Sequence, residues 1–121
     1  MRKRVTAGDV RTLALSLPET TEKTSWGMPT FRVSGRIFAA LAADDASIGV
    51  KCPKEERGEL IEAEPDKFFV RPGHDDHYDW LRVRLAALED VAELRAILAD
   101  SWRQAARPTL RAAHPDLTGP T

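Results

Sequence analysis

The 121 residues include one cysteine, Cys52, so no disulfide can form within the chain. That suits a reducing compartment. Long apolar runs are also missing. No apolar stretch of the kind a signal peptide carries follows the basic start, Met1-Arg2-Lys3-Arg4. No segment approaches the ~20 apolar residues of a membrane span either. The expectation is a cytoplasmic protein without membrane contact. An excess of charge of one sign is absent too: 18 Lys+Arg stand against 19 Asp+Glu, a formal net charge of -1. Proteins that coat DNA nonspecifically draw their affinity from phosphate neutralisation and are usually strongly basic. This balance counts against that role and leaves room for a local basic patch. The chain shows no phosphate-cradling glycine loop, no triad spacing, no paired zinc-ligand motif and no internal repeat.

What is present suits one domain, because 121 residues can bury a core without metals or disulfides, and 42% hydrophobic residues is near the globular norm. Thr6, with Asp9 three residues on, forms a capping box for a first helix. Val10, Leu13, Ala14 and Leu17 recur along it at helical spacing, and Pro18 ends it. Glu19 to Ser25 is polar and reads as loop. Thr30 to Val33 alternates as a strand, Ser34-Gly35 is a hairpin turn, and Arg36 to Ala42 is a second strand. Ile48 to Cys52 is a third. Pro53 opens a short helix, predicted to bury Leu60 and Ile61. Phe68 to Val70 and Trp80 to Leu85 are two further strands. Asp90 and Glu93 cap a last helix whose stripe is Leu94, Ile97, Leu98, Trp102 and Ala105. The order is α-β-β-β-α-β-β-α, an α+β fold with a mainly antiparallel, five-stranded sheet and helices largely on one face. Residues 1–107 form the expected domain, and 108–121 read as a flexible tail.

Three segments then carry a resemblance. Lys23 to Val33 with Gly35 to Ala39, Lys51-Cys52-Pro53 with Glu56-Arg57 and Leu60, and Trp80 to Leu85 together resemble the MmcQ/YjbR family. The resemblance covers roughly Val5 to Ala106. It implies a secretion-chaperone-like or CyaY-like α+β fold, and a DNA-contacting role through a proposed double-wing surface. It implies no catalytic residues.

Strand parity supplies the candidate site. If Leu81, Val83 and Leu85 face the core, Trp80, Arg82 and Arg84 face away. By the same rule Arg32 opposes Phe31 and Val33, and Lys51 opposes Val50 and Cys52. Arg32, Lys51, Arg82 and Arg84 are therefore the expected phosphate contacts, with Trp26 and Trp80 as stacking or wedge residues. The expected function is a non-catalytic DNA-binding protein. The alternative is a module for a small anionic ligand or a protein partner on the same face, and an enzyme ranks last. Trp26-Gly27-Met28-Pro29 either projects an apolar patch or plugs the sheet edge. Cys52 follows Lys51 and precedes a helix, which favours a reactive thiol, but its parity with Ile48 and Val50 predicts burial. His74-Asp75-Asp76-His77 with Asp79 has ligands enough for a metal but no regular spacing, so it reads as a solvated loop. No cofactor is expected.

Overall fold

Helix α1 (Ala7–Ser16) starts with the expected capping box: the Thr6 side chain accepts from the Asp9 amide, and Asp9 accepts from the Thr6 amide. The computed structural model describes residues 4–117. The basic start through Lys3 and residues 118–121 of the expected tail lie outside the described residues.

After α1 come β1 (Thr21–Ser25), β2 (Met28–Val33), β3 (Arg36–Leu41) and β4 (Ser47–Lys51). Helix α2 (Lys54–Ala63), β5 (Phe68–Phe69), β6 (Trp80–Arg84), α3 (Val91–Ala105) and α4 (Pro108–Ala113) follow, with short 3-10 turns at Leu85–Ala87 and Pro115–Leu117. The fold is α+β. The sheet has six strands rather than five, in the order β1-β2-β3-β4-β6-β5, and every pairing is antiparallel. The additional strand is β1, from the stretch expected to be loop. Thr-Glu-Lys-Thr-Ser has no apolar residue and none of the five is buried, as an edge strand with solvent on its sides allows.

Alternation along the strands sends one set of side chains beneath the helices. Phe31, Val33, Ile48, Val50, Leu81 and Val83 lie there, each at most 3% exposed, packed with Leu94, Leu98 and Trp102 of α3 and Val10 and Ala14 of α1. A β-bulge interrupts the β2–β3 pairing. Phe31 pairs Ala39 and Arg32 pairs Ile37, so Phe38 has no opposite residue. The fully buried Ser101 of α3 meets this irregularity: its hydroxyl donates to the Phe38 carbonyl and accepts from the Lys51 amide at 2.9 Å. One side chain thereby ties α3 to two neighbouring strands.

Two expectations are corrected. No residue of α2 is buried; Leu60 is exposed and only Ile61 packs partly against the core. Polar contacts hold this helix instead. Arg57 donates to the carbonyls of Asp75, Tyr78 and Trp80 at 3.2, 2.9 and 2.9 Å, and Asp79 accepts from the Lys54 amide at 3.0 Å. The segment after residue 107 is no loose tail over its described part. Pro108 sits at the start of α4, where its missing N–H costs nothing. Leu110 packs on the core, Leu117 is buried, and the His114 ring meets Trp102 edge-on at 6.2 Å.

Candidate functional site

The sheet face away from the helices is hollowed, and the register explains why. One row of paired residues crosses it: Lys23, Thr30, Ala40, Gly49, Arg82 and Phe69. Its centre, Ala40 and Gly49, has almost no side-chain height, so the floor is low between taller flanks. The result is a groove of about 660 Å³. The Trp80 indole lies across Gly49. A Cβ added there would sit 2.3–2.5 Å from Nε1, Cε2 and Cζ2 of that ring, so the position requires glycine.

The turn between β1 and β2 supplies one rim. Trp26 and Gly27 are its two residues, at φ 51° and 76°, the left-handed geometry that two-residue hairpins favour. Glycine takes that geometry freely, whereas tryptophan is held in it against its preference. The Trp26 side chain projects outward, 93% exposed, and together with Met28 and Ile37 it lines this side of the groove. The Ser34-Gly35 turn has the same two-residue form, at φ 53° and 77°.

The opposite rim is the loop before β6, bringing Arg71, His74, His77, Tyr78 and Asp79 to the groove. Its anchor is Asp75, whose side chain is 1% exposed. Asp75 takes Arg82 in a two-pronged pair, Nε at 2.8 Å and Nη2 at 3.1 Å, and accepts from the Arg71 amide at 2.8 Å. His74 Nδ1 lies 2.8 Å from the same carboxylate. Burial by itself would raise this carboxyl. The hydrogen bonds from Arg82, the Arg71 amide and His74, with the Arg82 charge, outweigh it and hold Asp75 far below the usual carboxylate range.

Parity correctly put Trp80, Arg82 and Arg84 opposite the core, but the structure divides the six candidate residues. Lys51, Arg82, Trp26 and Trp80 line the groove, whereas Arg32 and Arg84 do not. Arg84 stacks on the Phe69 ring at 4.1 Å and donates to the Pro65 and Asp66 carbonyls at 3.2 and 3.4 Å. Arg32 donates to the Ser25 hydroxyl at 3.2 Å. Arg82 is neutralised by Asp75. Among the described residues, Lys51 and Arg71 are the groove cations that make no ion pair. Lys51 is the cross-strand partner of Trp80, and both line the groove.

Cys52 is buried, and burial first, then the Glu56 charge, pushes its thiol up to about 11. No group of His, Cys, Asp and Glu side chains among the described residues is arranged to hold a metal ion. Sequence reasoning missed Gly49, Arg71 and Tyr78. The glycine was reachable in principle, since parity opposes it to Ile48 and Val50; the loop residues left no periodic signal.

A six-stranded antiparallel sheet, covered by helices on one face and grooved on the other, makes this a small α+β domain. The YjbR family pattern matches residues 15–104, and the chain belongs to that family. The crystal structure of Deinococcus radiodurans protein DR2400, which carries a DUF419 domain, aligns with a TM-score of 0.72. It covers 99% of this chain and 94% of its own at 20% identity, a likeness of fold. No curated protein matches the chain. No described helix is long and apolar enough to cross a membrane.

Proposed function

We propose that this protein is a non-catalytic binding module that takes a small anionic molecule in the groove on its open sheet face. One observation carries this reading: a groove of about 660 Å³ is lined by Lys51, which makes no ion pair, and by Trp80. The volume falls within the ~300–1,000 Å³ of small-molecule sites, and apolar walls with a few fixed polar groups are the usual composition. A binding role agrees with the inert, buried Cys52 and with an Asp75 carboxylate already committed to Arg82. A single free thiol suits action in the cytoplasm. The test is an amide and indole NMR titration of the full chain with a panel of small carboxylates and phosphates. Shifts should converge on Gly49, Lys51 and the Trp80 indole and be lost in Lys51→Met. Shifts scattered over other surfaces, or none at millimolar ligand, would overturn the reading.

A nucleic-acid role is the second reading, favoured by the 93% exposure of Trp26 at a hairpin tip. Four neutralised phosphates would give a log K against log salt slope of about -3.6. With Arg82 and Arg84 occupied internally and Arg32 outside the groove, Lys51 is the one expected contact left there; joined by Arg71, it gives a slope of about -1.8. An anisotropy titration with labelled DNA that detects no binding at about 50 mM salt, a condition that favours phosphate contacts, disposes of this reading.

A further inference from the structure

Aromatic and aliphatic side chains wall the groove beside its unpaired cations. Trp80 lines the groove and crowds Gly49, the Nε1, Cε2 and Cζ2 side of its indole being the part that glycine admits. The floor beside it, Ala40 and Gly49, is level and low. Met28 supplies a thioether and Ile37 an aliphatic edge, both suited to flanking an aromatic ring. Lys51, which makes no ion pair, lines the same groove and is the cross-strand partner of Trp80. Trp26 stands on the rim, its ring almost wholly in solvent and its backbone in a geometry tryptophan disfavours. A ring bound below would bury part of that exposed indole.

We infer that the groove takes a flat aromatic carboxylate or phosphate: its ring stacks on Trp80, its anionic group reaches Lys51, and Trp26 packs over it from the β1–β2 turn. The inference rests on the reading that this groove binds small anions, and it adds the demand for a planar ring. A plane against Trp80 gains stacking that a puckered aliphatic ring of equal size lacks. A neutral aromatic lacks the partner for the ammonium.

The test uses the full chain and three probes of similar size: 2-naphthoate, its fully saturated decalin carboxylate, and 2-naphthalenemethanol. Affinities are read by NMR titration, which reports folding in the same spectra. Naphthoate should bind about three- to tenfold tighter than the decalin acid and move the Gly49 amide and Trp80 indole signals by ring current. Lys51→Met should bring naphthoate down to the level of the alcohol and leave the alcohol unchanged. Trp26→Ala should weaken both aromatic probes and spare the decalin acid. Equal affinity for naphthoate and the decalin acid overturns the aromatic requirement while leaving an anion groove in place. Absence of binding by both acids removes the groove reading as well.

Discussion

Replacing Asp75 by Asn tests whether the loop that walls the groove is held by charge. The carboxylate is 1% exposed and its Arg82 partner 12%, so the pair is sheltered without being sealed. Removing one partner of a buried pair costs about 3–5 kcal/mol, because the other charge stays desolvated. Arg82 keeps some water, which places the expected loss near the lower limit, about 3 kcal/mol. In urea, with a slope of about 1.5–2 kcal/mol per molar, the unfolding midpoint should drop by about 1.5–2 M. Acid gives the second signature. The folded Asp75 carboxyl lies below its unfolded value, so the unfolded state binds more protons as pH falls. Its stabilisation is complete above the ordinary carboxylate range, near pH 4, and declines as pH drops toward the folded value. The wild type should therefore lose more stability than Asp75→Asn between about pH 5 and 2.5. Glu22 and Glu93, also lowered, contribute equally to both proteins and cancel in the comparison. Asp75→Leu with Arg82→Met should recover most of the loss, since neither charge is then stranded. A loss below about 1 kcal/mol, or parallel acid profiles, would refute the clamp.

Trp26→Asn should stabilise the fold by about 1 kcal/mol, raising the melting temperature by about 4 °C in calorimetry, because asparagine tolerates the left-handed turn; a lower melting temperature would mean the exposed ring supports the fold. Ser101→Ala should cost about 1–3 kcal/mol and speed hydrogen exchange at the Lys51 amide, which loses its acceptor. Gly49→Ala should drive the indole off the floor at a cost of about 1–3 kcal/mol, with a shifted Trp80 indole resonance; an unchanged signal contradicts the close approach. Cys52, with its thiol near 11, should react with a disulfide reagent at pH 8 only as fast as the protein opens, and prompt stoichiometric labelling would count against its burial.

Periodic features were legible in the sequence. Leu81, Val83 and Leu85 repeat at period two and are buried as that period requires, and Thr6 with Asp9 forms its box from local spacing alone. β1 escaped because an all-polar edge strand carries no apolar period; its existence depends on β2 lying beside it. α2 was misjudged because Leu60 and Ile61 resemble a buried pair, while Arg57 and Asp79, which hold it, act through partners 18 to 25 residues away. Parity put the cations on the right face but could not say what each would meet. Arg82 found Asp75 and Arg84 found Phe69 through the course of the intervening loop, which follows no repeat.

The short helix after Pro108 affects how the protein can be cut. Leu117 and Leu110 lie against the interior, and His114 lies at the edge of Trp102, so these residues act as a stopper over the far end of α3. At the other end, Val5, Val10 and Ala14 are equally internal, yet they precede the span that matches the family. A fragment trimmed to residues 15–104 would keep every groove residue and open the interior at both ends. The interior thus extends past the groove and past the matched span, and a stable piece needs the greater length.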